Sequence, residues 1–198
     1  MISLNRTLIL ASGSQARQKM LKNISLEFEI IPADIDEDAI LKLMQKNKEA
    51  AKKIAAKLAC EKALSVSSDN PNAFIIGSDQ VMECEGTLFQ KAASIDEARD
   101  KLKTLRNRSH TLTSSVAVAL NNQIIWQASD SAVLKMHDFD DEFLETYLNK
   151  AGNDVTSCVG AYAYESYGAW LFEQTKANYF TILGMPLLPL LQFLREQT

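Results

Sequence analysis

The sequence is short of the residues that build extracellular scaffolds and metal frameworks. Among 198 residues there are three cysteines, two histidines, four prolines and seven glycines. Cys60, Cys84 and Cys158 form no CxxC pair and have no histidine at ligand spacing, which excludes a disulfide framework and a zinc site. The chain also lacks an excess of positive charge: 21 basic against 25 acidic residues leave a net charge of −4. No global field draws it to nucleic acid or anionic lipid. Long apolar runs are missing as well. Leu8–Ala11 is too short for a signal-peptide core, and Tyr179–Leu194 is broken by Pro186 and Pro189 before it reaches the roughly 20 residues of a membrane span. The expectation is a cytoplasmic protein with neither a membrane nor a nucleic-acid partner.

What is present is an ordinary globular composition, 46% apolar and 23% charged, enough for one domain over residues 1–198. Strand-length apolar runs alternate with helix-period segments, which predicts an α/β fold. Thr7–Ala11 reads as a buried strand, followed by the Ser12-Gly13-Ser14 turn and a helix over Gln15–Leu21 with Ser14 as N-cap. A second strand is expected at Phe28–Pro32 and one long helix from Asp38 to Leu64. Ala73–Gly77 reads as a strand ending at Ser78-Asp79, with a hairpin at Glu85-Gly86 and a helix over Ile95–Leu105. Asn121-Asn122 joins two β-rich runs, and helices are expected at Phe139–Leu148 and Pro186–Arg195.

Few residues suggest chemistry unaided. The Ser12-Gly13-Ser14 turn offers backbone N–H groups at a strand-to-helix junction, a seat for phosphate to which Arg17 could add a bidentate contact, although an ordinary capped helix start looks the same. GxxxxGK[ST] and GxGxxG are both absent, so P-loop and Rossmann readings fail. Asp79, read at the carboxyl end of a strand, could hold Mg²⁺ or polarise water, or merely open a turn. Asp34, Asp36, Glu37 and Asp38 read as a solvated helix start or a metal site, and the lysines from Lys42 to Lys62 as a solvated face. His110 and His137 have no nucleophile in a recognisable elbow, so a histidine triad is not expected.

The order of the pieces is more specific than any one of them. Leu8-Ile9-Leu10-Ala11-Ser12-Gly13-Ser14, Asp36-Glu37, Glu61-Lys62-Ala63, Ile76-Gly77-Ser78-Asp79-Gln80-Val81, Lys91 and His110-Thr111 together resemble the Maf-like nucleotide pyrophosphatases. Gly160-Ala161-Tyr162, Leu171-Phe172-Glu173 and Gly184-Met185-Pro186-Leu187 extend the resemblance to about residue 195. It implies an elongated central mixed sheet flanked by helices, two lobes around a deep cleft and often a homodimer. It also implies hydrolysis of a nucleoside triphosphate to monophosphate and pyrophosphate, with Mg²⁺ or Mn²⁺ as cofactor.

Carried over position by position, Asp79 matches the family's catalytic aspartate, with Glu37, Lys62 and Lys91 as its catalytic companions. Glu37 and Asp79 are the implied metal ligands, and Ser12, Ser14 and Arg17 the implied phosphate contacts. Ala16, Gln80 and Glu165 occupy the positions associated with substrate choice. Gln80 and Glu165 resemble the branch acting on 7-methyl-GTP, whose cationic base and N1/N2 donors suit a carboxylate. A dTTP/UTP-type member and a non-catalytic nucleotide-binding regulator linked to cell division are the alternatives. Two departures stand out: Gln15, Ala16, Arg17 and Gln18 stand where the family has Pro, then Trp or Arg, then paired Arg, so one arginine survives, and Ala92 replaces a proline after Lys91.

Overall fold

Leu8, Ile9 and Leu10 are buried on both faces of strand β1 (Leu8–Leu10), as the continuous apolar run requires. In the computed structural model, which describes residues 4–173, 175 and 177–197, β1 lies parallel to β2 (Glu29–Ile30) and to β3 (Phe74–Cys84), with Ile9 opposite Ile75. Residues 1–3, 174, 176 and 198 of the expected 1–198 unit lie outside the described residues. β4 (Thr87–Phe89) returns antiparallel to β3 through Glu85-Gly86. β5 (Ser109–Leu120) and β6 (Gln123–Lys135) complete an open, mixed sheet in the order β2-β1-β3-β5-β6, with β4 on β3. Asn121 and Asn122 turn the β5–β6 hairpin with both φ angles positive, at 51° and 59°.

The helices are α1 (Gln15–Asn23), α2 (Glu37–Lys46), α3 (Ala51–Ser67), α4 (Ile95–Leu105), α5 (Asp141–Ala151), α6 (Tyr179–Ile182) and α7 (Leu187–Arg195). No helix among the described residues is long and apolar enough to cross a membrane. The mixed α/β class agrees with the sequence reading, and three local expectations do not. The single helix expected over Asp38–Leu64 is two. Asn47 closes α2 and Lys48 takes a left-handed conformation (φ 55°), so the 3.6-residue period continues in the sequence while the backbone does not. α2 buries no residue, whereas α3 buries Ile54, Ala55, Leu58, Ala59, Ala63 and Val66.

The second difference is that β3 does not end at Ser78-Asp79 but continues to Cys84. These polar residues interrupt no ladder because their side chains find partners within the fold. The third concerns Ser14, which occupies the N-cap position of α1 in extended conformation but makes no side-chain cap; its N–H instead donates to Ser12 Oγ at 3.3 Å.

The chain divides into two compact units, each assembled from separate segments. The first comprises 1–80, 113–130 and 184–198, and the second 81–112 and 131–183. In the first, Ile9, Ala11, Ala63, Val66, Ala73, Ile75 and Ala119 pack α3 against the sheet. A Cβ on Gly77 would lie 2.1 Å from the Ala59 carbonyl oxygen, so only glycine lets β3 and α3 approach this closely. The second unit packs Met82, Leu102, Leu105, Leu134, Leu144, Leu171 and others around a ring cluster of Tyr162 and Phe172.

Candidate active site

The Gly77 contact sets the first feature of the site. It brings the last third of α3 against β3 just where β3 carries Asp79, two residues on, and Lys62 reaches it. Lys62 Nζ donates to Asp79 Oδ1 at 2.7 Å and to Glu37 Oε2 at 2.8 Å. Asp79 is 7% exposed and Lys62 8%, while the Glu37 side chain, on the first turn of α2, stays half in solvent. The other lysines of the stripe, Lys42, Lys46, Lys48, Lys52, Lys53 and Lys57, are exposed as expected. Lys62 is the exception because Gly77 removes the layer of side chain that would otherwise separate it from β3.

The second feature is at the start of α1. Ser12 is buried at the end of β1, and Arg17 Nη1 donates to its Oγ at 3.2 Å. Arg17 Nε donates to the Gly184 carbonyl at 3.0 Å, and the residue is 8% exposed. Ser78 Oγ also approaches that carbonyl (3.0 Å) and donates to the Ser115 carbonyl (2.8 Å). Gly184 holds φ at 103°, a conformation open to glycine, and this turns its carbonyl toward both partners. Sequence reasoning gave neither Ser78 nor Gly184 a role; the one available signal was the glycine standing two residues before Pro186.

Electrostatics link the two features. Burial pushes the Asp79 carboxyl above the usual carboxylate range, against the pull of Lys62 and Arg17. Burial likewise lowers the Arg17 guanidinium below its ordinary value, opposed by Asp79 and Glu37. A carboxylate raised in this way holds a proton more tightly than an exposed one, which suits a general base. Ser12, Arg17, Glu37, Lys62 and Asp79 are thus brought together within the first unit. Gln80 follows Asp79 on β3, half-buried, with Nε2 donating to Ser114 Oγ at 3.0 Å. Ala16 lies half-buried on the first turn of α1, and the uncapped Ser14 leaves that helix terminus without a hydroxyl acceptor of its own.

The remaining predicted residues belong to the second unit. Lys91 and Glu165 are both exposed and share one neighbourhood around Cys158. That thiol is pushed up to about 11, chiefly by burial and then by Glu165, with Lys91 opposing. The three cysteines are free, and Asp36 caps α2 by accepting from Ala39 N at 2.9 Å, so Asp34, Asp36 and Asp38 are a solvated helix start.

Among the described residues no three His, Cys, Asp or Glu side chains gather as a metal cluster. Glu37 and Asp79 nevertheless converge on one ammonium. A pair of carboxylates is the share a protein gives Mg²⁺ when phosphate and water complete its shell, so the donor set fits a hard divalent cation.

Comparison with known proteins identifies the relatives of the chain. The family model described as Maf-like protein matches residues 7–197. A protein of Nitrobacter hamburgensis named nucleoside triphosphate pyrophosphatase is 43% identical over 192 residues, 97% of this chain and 94% of its own. Similarly named proteins of Granulibacter bethesdensis (41% over 189 residues, 96% of each chain) and Caulobacter vibrioides (42% over 186 residues, 94% and 93%) are related along the same span.

Proposed function

The chain belongs to the Maf-like family, and from that premise we propose that it is a nucleoside triphosphate pyrophosphatase, a hydrolase releasing pyrophosphate and a nucleoside monophosphate. The observation that carries the reading is the buried Lys62 ammonium held between Asp79 and Glu37, with Arg17 in electrostatic reach of both carboxylates. A binding protein has no need of a desolvated carboxylate whose proton affinity is raised. Hydrolysis does.

In this mechanism Lys62 fixes one oxygen of Asp79, Oδ1, and the other, Oδ2, takes the proton of the attacking water. The water oxygen bonds to the α-phosphorus, the α–β anhydride bond breaks, and the electron pair leaves with pyrophosphate. Negative charge grows on the leaving group, and Arg17, with Ser12 fixing its guanidinium, meets that charge. A divalent cation held by Glu37 and Asp79 would supply further neutralisation of the phosphate oxygens. Lys91 is assigned to the phosphates by its place in the sequence motif, and Ser14 through its backbone at the α1 terminus.

We further propose 7-methyl-GTP as the preferred substrate. Gln80 and Glu165 support this: the carboxylate of Glu165 is a match for a positively charged base that presents N–H donors. Ala16, small where the family carries an aromatic or arginine, gives up a ring that could stack on a cationic base and favours instead the dTTP/UTP-type or broad-specificity alternative. The reading extends to a cytoplasmic homodimer without nucleic-acid or membrane partners.

The test is pyrophosphate release from 7-methyl-GTP, GTP, dTTP, UTP and CTP with Mg²⁺ or Mn²⁺, for wild type beside Asp79→Asn. The expected outcome is turnover led by 7-methyl-GTP and reduced about 10³-fold in the variant, within the range for loss of a general base, with nucleotide still bound. Equal turnover by wild type and variant refutes the mechanism. Pyrimidines in first place keep the class and overturn the base assignment, and binding without turnover favours the regulator.

A further inference from the structure

α4 buries one face made of Ala98, Lys101, Leu102 and Leu105. Three of these are core residues and one is a lysine, 8% exposed. An ammonium at a core position of a helix is costly unless it is paired. Here burial lowers its proton affinity, partly offset by Glu97. Its hydrogen bond goes to the carbonyl oxygen of Gln90, the residue after β4 and immediately before Lys91.

Four residues earlier on the same helix, Glu97 Oε2 accepts the backbone N–H of Ala93 at 2.8 Å, while Glu97 N donates to Ser94 Oγ at 3.2 Å. The chain is therefore gripped on both sides of Lys91. A cationic side chain holds the carbonyl before it, and an anionic one holds the N–H two residues after it. Between the grips Ala92 is buried, and only Lys91 points to solvent. The two grips sit one helical turn apart, so a single rigid element fixes both.

We infer that Lys101, with Glu97, is a positioning residue: the pair clamps the Gln90–Ala93 segment so that Lys91 is presented in one place. This deepens the proposed function, because it rests on Lys91 meeting the phosphates of the substrate. The clamp also supplies what Ala92 cannot, since alanine leaves free a backbone that a proline would restrict. A free lysine on a slack loop would lose conformational entropy on each binding event. A lysine held in place beforehand loses less.

The experiment compares wild type, Lys101→Met and Glu97→Ala in native-state trypsin digestion, read by mass spectrometry at the Lys91–Ala92 bond, and in steady-state kinetics with the best triphosphate. Methionine keeps the length and burial of the lysine stem while removing its donor. Cleavage at that bond is expected to rise about tenfold in either variant, the effect of losing one hydrogen bond to a charged group. The melting temperature of Lys101→Met is expected to hold or rise, since an apolar side chain replaces a buried ammonium. KM is expected to rise about tenfold with kcat within about twofold, the signature of lost uniform binding. Cleavage no faster than wild type in both variants overturns the clamp. Faster cleavage with KM unchanged overturns its role in presenting Lys91. If wild type itself releases no pyrophosphate, the digestion still decides the clamp, and it is the proposed function that fails.

Discussion

The two units bury ionisable groups by opposite means. In the first, Arg17, Lys62 and Asp79 are all withdrawn from water beside opposite charges, with Lys62 donating to both Asp79 and Glu37. In the second, His110 is 2% exposed among the rings of Tyr162 and Phe172, 5.7 and 5.9 Å away by centroid. Among the described residues it has no charged partner there. Nε2 meets the Tyr162 hydroxyl at 2.6 Å, while Nδ1 is buried with no hydrogen-bond partner among the described residues. Desolvation opposed by facing charges is offset in part, whereas desolvation with no facing charge acts on the ionised form in full. The difference sets the group proposed for chemistry apart from a histidine held in ring packing.

Removing the cation at the centre of the first unit tests that contrast hardest. Lys62→Met leaves the buried Asp79 carboxylate without its 2.7 Å partner, and loss of one member of a buried pair typically destabilises by about 3–5 kcal/mol. Asp79 already has a raised pKa, and without Lys62 it rises further, so the folded state of the variant binds a proton more tightly than the unfolded state does. Stability lost at high pH is then regained as pH falls and Asp79 protonates. Denaturant titrations should show the deficit larger at about pH 8 than at about pH 5. A deficit independent of pH would mean that Asp79 is not the group left unpaired. Turnover should fall with it, because the same contact orients the base.

The corresponding test of the second unit is His110. Its folded-state pKa is lowered to about 4 from an ordinary 6.5 by burial. Between those values the unfolded chain binds the proton and the folded chain does not, so stability is fully present above about pH 6.5 and declines toward about pH 4. The shift corresponds to about 3 kcal/mol. His110→Gln, which keeps a polar partner for Tyr162, should flatten the acid limb of the stability curve and leave turnover near neutral pH little changed. A limb as steep as in wild type would place the acid sensitivity elsewhere.

How far this contrast could be read from the sequence follows from which signals are local. Helix α4 emerges at its predicted bounds because Ser94, Asp96 and Glu97 form a start signal and the apolar period runs unbroken to Leu105. The Asn121-Asn122 and Glu85-Gly86 turns were equally legible, since Asn121, Asn122 and Gly86 tolerate the required positive φ. The break between α2 and α3 was not, because the apolar period carries on through Asn47–Ala50 while the backbone turns. Ser78-Asp79 looked like a strand end for a related reason. Their hydrogen-bond partners, Gly184, Ser115 and Lys62, come from distant sequence, and polar residues without visible partners read as a turn. Lys101 was hidden in the same way: a lysine at helical spacing carries no sign that a carbonyl eleven residues earlier will be its acceptor. The site residues named beforehand came from the order of motifs, which records long-range contacts that no local pattern encodes.

The finest version of the comparison is made by Glu165, an acidic residue of the second unit that stays exposed. It is neither paired into a core like Asp79 nor neutralised like His110. Its field nonetheless reaches Cys158 and Tyr179, raising both after burial has done so. An exposed carboxylate contributes little to folding, which leaves recognition as the place where its charge can matter. Glu165→Gln keeps the shape and one acceptor oxygen, removes the charge and adds an amide donor. A charged acceptor is worth about 1 kcal/mol more than a neutral one in a hydrogen bond, and solvent screening trims that difference. The expected result is a fall of about fivefold in kcat/KM for 7-methyl-GTP, GTP falling less because its base is uncharged, and pyrimidine triphosphates rising in rank. Stability should be unchanged, since no buried partner is lost. A substrate ranking identical to wild type would remove Glu165 from base selection and leave Gln80, on β3 beside Asp79, as the residue through which the base is chosen.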